Sequence, residues 1–554
     1  MLRAGGAPGI YRHRPALLSL CLIYIFLFAI TSAYGQSGYE EGEVITFADA
    51  RDVLGGDLTP REAIFATNGG VWRLDRETGE VLDPWYAGVG ADRAQNLAGG
   101  RVIIWHEGSA SIWLATVNGV YYYRWGLRLW YRLEGVSGGN VTAFGEKLDS
   151  LFVYQQGKIG AIDPFAFRFT GWTKRDSTGI RWTGRFNKQP VEYPSYSAED
   201  YNYRYERRDG RLIDREFVEY RPSYTFVDEE YRTRYICYPG LGIGIADERS
   251  GNLRLVQTGL AGGDVRAIAL GEDGAIWLGG DNDRDDDGLS RFDRESNTWT
   301  SFRRSQYRGL ESSSVSDLLV SGNSLFAAST TGLIRYDLRS KSWKTFGRLE
   351  GGPGDAIRAL ANVDDWIILG GDDGASRMLA TSNSFSKLDN PKLKDLRTAQ
   401  ASSDADTVWL VGLQGVYRGT PEGKWESLSG DRTIGPEPAR SVAVSPDLVC
   451  IGGQNGVRLY NRKTGGWNAI PAATYLNNGQ TLSLAVTDSL IWIGTDRGLF
   501  RYNQAQGSFH SFGLNQGLPA PRIQRIVAEA DTLWLGTPQG LVRFIWNRPH
   551  RDID

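Results

Sequence analysis

LIWIGTDRGLFRYN, Leu490 to Asn503, decides the fold, because nearly the same phrase returns as TLWLGTPQGLVRF at Thr532 and as SLFAASTTGLIRYD at Ser324. In each copy large and small side chains alternate at period two, a turn supplies a glycine able to adopt positive φ, and the alternation then resumes. That is the signature of a β-hairpin. The anchor of the repeat is a glycine about six positions after an aromatic residue. Such glycines stand at Gly70, Gly119, Gly157, Gly240, Gly288, Gly332, Gly374, Gly415, Gly456, Gly498 and Gly540. From Gly288 onward the gaps are 44, 42, 41, 41, 42 and 42 residues, whereas Gly157 and Gly240 lie 83 apart. The long gap is twice the period and hides one degenerate unit, so the chain holds about twelve units.

Each unit adds a short strand of the form W-x-x-F, as in TWTSF at Thr298 and SWKTF at Ser342, and an apolar strand such as RIQRIVAEA at Arg522 leads into the next. No segment sustains a helical period. Four antiparallel strands in this length have two faces to cover, and stacking such sheets about an axis covers both. The expected fold is therefore all-β, a β-propeller of about twelve four-stranded blades. Trp113, Trp277, Trp366, Trp409, Trp492 and Trp534 are assigned to one slot of the repeat, with Phe65 and Phe326 in two others. Each such ring buries on the order of 150–250 Å², which suits packing between blades. Twelve blades about one axis would leave a wide hole. The expectation is two rings, an irregular smaller one in 36–260 and a seven-bladed one in 261–546. The last unit lacks its fourth strand, and GEVITF, Gly42 to Phe47, has the spacing to supply it. The N-terminal strand is thus predicted to close the last blade and remove its edge.

At the start, Arg12 and Arg14 precede an apolar run from Ala16 to Ile30 and the small-residue exit Ala33-Tyr34-Gly35. This is the layout of a secretory signal peptide over 1–35, which points to a periplasmic or extracellular protein; an uncleaved N-terminal membrane anchor is the alternative. Residues 547–554 form a tail. The formal net charge of −3 shows no basic signature of a nucleic-acid partner. Beyond the signal only Cys237 and Cys450 remain, and Cys450 takes the slot that sister units fill with Trp. It is read as a buried apolar residue without a disulfide.

The phrases WIGTDRGLFRYN and WLGTPQGLVRF resemble the two-component regulator propeller repeat, W-(I/L)-G-T-x-x-G-L followed by an aromatic. The resemblance covers nearly the whole chain after the signal and is strongest after about residue 260. It implies a propeller of the kind that forms the periplasmic sensor of a membrane histidine kinase and receives an oligosaccharide or other ligand. The Ig-like module, transmembrane helix and kinase usual in that family are missing from these 554 residues. The expectation is a detached sensor component working with a separate membrane sensor protein. Similar propellers also occur in surface components of the type IX secretion system, which makes an assembly factor an alternative.

Catalytic signatures are sparse. His106, His510 and His550 sit in separate units or the tail, so neither a Ser-His-Asp set nor a histidine metal cluster is legible. A carbohydrate-active hydrolase or lyase remains an alternative because it needs only two carboxylates, roughly 5–10 Å apart with one pKa raised. Arg291, Arg335, Arg418, Arg501 and Arg543 each follow the anchor glycine by three residues, and such recurrence marks a structural role. Two interruptions of the repeat are the candidate sites. DNDRDDDGLSRFD from Asp281 places Asp283, Asp285 and Asp287 at the alternate spacing that can surround Ca²⁺, although Arg294 stands at the twelfth position where a glutamate closes such loops. A solvated acidic turn is the alternative, and no cofactor is required. In the degenerate unit, Tyr201, Tyr203 and Tyr205 alternate with polar residues before an Arg-Asp-Gly turn. Tyrosines presented with arginines form recognition surfaces, here for a carbohydrate or protein ligand, unless they only pack their own blade. The function expected is non-catalytic binding.

Overall fold

A computed structural model describes residues 44–546 apart from 89–96, 138–139, 174–178, 184–204, 209–210, 215–216, 282–287, 313, 349–355, 373, 389, 392, 394–395, 405, 423–424, 429–437 and 472–478. The signal stretch, the tail, Tyr201, Tyr203, Asp283, Asp285 and Asp287 lie outside the described residues. Among those described, every long element is a strand, and the one helical turn is the 3₁₀ segment Leu514–Gln516. No helix among them is long and apolar enough to cross a membrane.

The repeat phrase owes its constancy to two turns. In WLGTPQGL, Thr537 Oγ1 donates to Gly540 O at 2.8 Å and accepts the N–H of Gln539 at 3.1 Å, so one hydroxyl closes the hairpin. Thr67, Thr116, Ser329 and Thr495 do the same. Gly540 has φ 128°, and a Cβ there would collide with the carbonyl oxygen of Phe47 on the crossing strand. The outer turn is an Asx turn. Asp337 Oδ1 accepts the N–H groups of Arg339 and Ser340 at 3.0 and 2.8 Å. Those amides, Ser340 first, hold its carboxyl below the usual range. Asp75, Asp163, Asp247, Asp293, Asn461 and Asn503 repeat the device.

The strands build twelve units, numbered here by their spans: 53–88, 100–137, 141–173, 205–220, 224–256, 267–302, 315–346, 357–387, 398–427, 439–471, 481–512 and 525–545. The degenerate unit 4 contributes three described strands and Tyr205 opens the first of them, Tyr205–Arg208. From unit 6 to unit 12 the leading strand of each sheet lies against the leading strand of the next. Arg525–Glu529 of unit 12 returns to Ala267–Leu270 of unit 6, which closes the series. Leading strands would otherwise be bare edges, and side chains stitch them. Asp317 Oδ2 accepts the N–H of Leu360 at 2.9 Å, and Gln400 Oε1 that of Val442 at 2.9 Å. Arg525 also reaches Asp317 Oδ1 at 2.8 Å, joining units 12 and 7 past unit 6.

Trp113, Trp277, Trp409, Trp492, Trp534, Phe65 and Phe326 are at most 2% exposed, as blade packing requires. Trp366 and Phe65 depart from the expected slot: in unit 1 it is Ile64 that pairs with Arg73, while Phe65 pairs with Trp72 and packs from the opposite face on Phe226 and Tyr235 of unit 5. Trp366 pairs with Leu379, while Ile368 pairs with Arg377 as Trp492 pairs with Arg501, so Ile368 holds the packing position. Trp366 is half-buried and carries the Arg377 guanidinium 4.5 Å from its ring centre. The anchor of unit 5 is likewise Gly242, φ 119°, at the head of Gly242–Asp247, not Gly240.

The strand Val44–Phe47 does close the last blade, running antiparallel to Gly540–Ile545 with Phe47 opposite Leu541. It does more. Ile45 and Thr46 also pair with Gly88 and Ala87 of Val81–Gly88, so the outer edges of units 1 and 12 merge into one eight-stranded sheet. Phe47 is 2% exposed, with ring centroids of Tyr86, Phe292, Trp299 and Trp534 at 4.6, 5.1, 6.0 and 6.2 Å. One apolar cluster accordingly runs from Phe65 and Tyr235 through Phe47 to Trp299 and Trp534. Cys237 and Cys450 are buried and unbridged, and burial pushes both thiols up.

Candidate functional site

Units 1 and 2 are neighbours, with Val53–Leu58 packed against Gly100–His106, and a cleft of about 750 Å³ opens where they adjoin. Its walls come from the same turn regions in both sheets. In unit 1, Thr59 caps the first hairpin: its Oγ1 accepts the N–H of Glu62 at 2.9 Å and donates to Glu62 O at 3.1 Å. This fixes Arg61 at the mouth and turns Glu62 inward to 7% exposure. Glu62 then grips Arg73 through two contacts, 2.8 Å to Nε and 2.5 Å to Nη2. Arg73 Nη1 also donates to Asp83 O at 3.0 Å, and the guanidinium lies 4.1 Å from the Trp85 ring centre. A fork-to-fork ion pair under an indole is a rigid floor.

Unit 2 supplies the other aromatic faces. Trp105 ends the leading strand, and Trp125 follows Gly119–Arg124 in the next turn. Their rings meet edge to face at 5.9 Å. Tyr123 bridges the two sheets, 5.8 Å from Trp125 and 4.6 Å from Trp85. Trp85, Trp105 and Trp125 are all half-buried, so indole surface stays open to the cleft. Arg61 and Arg128 at the rim are exposed. The arrangement offers flat apolar faces beside fixed polar groups, the composition of a small-molecule pocket.

Asp57 supports the cleft from beneath. Its Oδ2 accepts the Trp105 N–H at 2.8 Å and its Oδ1 the Leu58 N–H at 2.9 Å. Burial pushes its carboxyl up to about 6, against the pull of those amides and of Arg181 and with the push of Glu146. Glu146 itself pairs with Arg181 at 2.6 Å. Between roughly pH 4 and 6 the folded chain therefore binds more protons at Asp57 than the unfolded chain, and stability falls as pH rises through that window. Asp57→Asn abolishes the ionisation. Relative to wild type it should gain about 1–3 kcal/mol between pH 4 and pH 7.5, allowing for partial exposure. Urea unfolding of both proteins at the two pH values reads this, and a constant offset between them counts against it.

Among the described residues, none of those nominated from the sequence lines this cleft. Tyr205 belongs to unit 4, paired in backbone register with Asp214. His106 is buried with Nδ1 at 2.8 Å from Ser109 Oγ, and burial lowers its pKa. His510 is exposed in unit 11. Of the repeat arginines, Arg291 pairs with Asp273 and Arg418 with Glu426, while Arg335 donates to Ser324 in its own sheet and to Asn383 in the next unit. The signal that could have found the cleft was present, since Trp85, Trp105 and Trp125 are tryptophans outside the packing slot.

No protein-family profile matches the sequence, and no curated protein matches it. Among solved structures the chain is similar to PorZ, described as an essential bacterial surface component of the type-IX secretion system of Porphyromonas gingivalis, with TM-score 0.52 and 13% identity over 91% of this chain and 87% of that one. It is also similar to the extracellular domain of the hybrid two-component system BT4673 from B. thetaiotaomicron, with TM-score 0.45 and 12% identity over 90% and 76% of the two chains. The RRP9 WD40 repeats align at TM-score 0.42 and 13% identity over 51% of this chain and 95% of theirs. At such identities the PorZ likeness speaks to the fold alone: this chain is an all-β protein of the β-propeller type.

Proposed function

We propose that this protein is an extracytoplasmic, non-catalytic β-propeller that binds an oligosaccharide in the cleft between units 1 and 2. The observation that carries the reading is the convergence of Trp85, Trp105 and Trp125 over an Arg73–Glu62 pair that is already locked. Sugar rings present C–H faces that pack on indole and hydroxyls that need fixed donors and acceptors, and the cleft offers both. Units 6 to 12 form one ring in this reading and units 1 to 5 a second, with the signal-like N-terminus directing export. Binding is passed to a separate membrane sensor protein. The likeness to a secretion-system surface component favours a protein ligand as the second reading.

The test is calorimetric titration of the secreted chain with a panel of plant, algal and bacterial oligosaccharides. At least one should bind, and Trp105→Ala and Trp125→Ala should each weaken it about 10- to 100-fold, or about 1.4–2.8 kcal/mol. Both rings also pack against the buried cluster of these units, so each variant should melt somewhat lower than wild type and the titrations are run well below its transition. Variants that bind as wild type does would remove the cleft from consideration.

A further inference from the structure

Trp105 is held in the cleft through its backbone. It lies near the end of Gly100–His106, the edge strand of the unit 2 sheet, so its outward N–H has no further strand of that sheet to receive it. Asp57, on the neighbouring edge strand Val53–Leu58, receives it at 2.8 Å, and the second carboxylate oxygen receives the Leu58 N–H at 2.9 Å. An ionised carboxylate accepts on both oxygens, and its bonds to N–H groups are about twice as strong as those of a neutral acceptor. Protonation turns one oxygen into a donor that neither N–H can receive. One of the two bonds must then weaken.

The surroundings leave Asp57 free to take that proton. It is only half-buried, so solvent reaches it. Asp317 makes the same kind of stitch to Leu360 with Arg525 in contact at 2.8 Å, whereas Asp57 has no ion-pair partner among the described residues. Arg181 and Glu146 of unit 3 act on it from a distance and pair with each other, and Tyr224 of unit 5 feels its charge. On the strands packed against Val53–Leu58, Glu62 is held by Arg73, Asp228 by Arg76 and Arg234 by Glu248. Those strands also carry Arg101, His106, Tyr235, Cys237 and Tyr238, and burial favours the neutral form of His106, Tyr235 and Cys237. The same burial that lifts the Asp57 carboxyl to about 6 brings its titration within ordinary conditions.

We propose that Asp57 is a positioning residue of the cleft: its carboxylate holds the Trp105 backbone so that the indole faces the ligand, and taking up a proton loosens that hold and weakens oligosaccharide binding. The effect on affinity rests on the oligosaccharide reading, but the hold on Trp105 can be read without any ligand.

Fluorine NMR of the full chain labelled with 5-fluorotryptophan reads it, the Trp105 resonance being the one that Trp105→Phe removes. Between about pH 8 and pH 5 that resonance should shift with a midpoint near about 6 in the wild type and stay fixed in Asp57→Asn, whose Nδ2 cannot accept an N–H. An oligosaccharide found by the calorimetric panel should bind the wild type about three- to tenfold more weakly at pH 5 than at pH 8, and should bind Asp57→Asn with the weaker affinity at both. A Trp105 resonance that does not titrate, or that titrates equally in Asp57→Asn as a response to His106 would, overturns the proposal. So does a ligand that the wild type binds equally well at the two pH values. If no oligosaccharide binds while the resonance titrates as expected, the oligosaccharide reading fails and the hold of Asp57 on Trp105 stands.

Discussion

Phe47→Ala is expected to destabilise the protein by about 3–5 kcal/mol, the cost of emptying a well-packed aromatic site. The ring is 2% exposed and touches Tyr86 of unit 1, Phe292 and Trp299 of unit 6 and Trp534 of unit 12. The neighbours belong to three units in two hydrogen-bonded sheets, so they cannot collapse inward to refill the space. Its removal also loosens the strand whose backbone joins units 1 and 12. Calorimetry should show a lower melting temperature. Phe165→Ala, at a side chain 54% exposed, is the control and should shift stability by no more than about 0.5 kcal/mol. Equal effects from the two substitutions would mean that the clasp does not hold the structure together.

Arg76→Ala is expected to cost about 3–5 kcal/mol at neutral pH, because it strands a buried carboxylate. Arg76 lies 152 residues from Asp228 in sequence, and its Nε and Nη2 meet the two carboxylate oxygens at 2.6 and 2.8 Å. Asp228 has a side chain 1% exposed. Nη1 further donates to the carbonyls of Thr59 and Pro60 at 2.9 and 3.1 Å, so one guanidinium fastens unit 1 to unit 5. Burial alone would raise the Asp228 carboxyl, but the bonds from Arg76 and from the amides of Tyr231 and Glu230 hold it below the usual value. A depressed folded pKa means stability that is present above the unfolded value of about 3.9 and lost as pH falls below it. The penalty of Arg76→Ala should therefore shrink between pH 7 and pH 3. Denaturant titrations at both values, closed into a cycle with Asp228→Asn, measure it, and a penalty independent of pH would argue against the buried pair.

Much of the frame was legible because its causes are local. Thr537 to Gly540 is a turn that one hydroxyl and one positive φ determine, and such a turn repeats wherever its residues do. The closing strand at Val44–Phe47 could be inferred because unit 12 visibly lacked a member. That the same strand also pairs with Ala87 and Gly88 could not, since nothing in Val81–Gly88 marks an edge as open. Trp366 misled because a tryptophan two residues early still satisfies period two, and only the register shows Ile368 in the packing slot. The cleft escaped for a different reason. Trp85, Trp105 and Trp125 come from two sheets, and their meeting depends on which turns lie at the same end of neighbouring strands. The expected tyrosine surface and Ca²⁺ loop rest on Tyr201, Tyr203, Asp283, Asp285 and Asp287, which lie outside the described residues, and on Tyr205, which is described only by its backbone pairing with Asp214.

The double pairing of Val44–Phe47 sets an order of events during synthesis. Its partner Val81–Gly88 follows at once, but its other partner Gly540–Ile545 leaves the ribosome about five hundred residues later, so one edge of this early strand waits for nearly the last. Until then the far edge of Val44–Phe47 stays open, and a chain stalled short of Leu541 leaves Thr532–Thr537 with a bare edge as well. Joining segments so far apart in the chain is slow. Assembly is thus gated by its final step, when the assembly is most prone to pair with a neighbouring molecule instead.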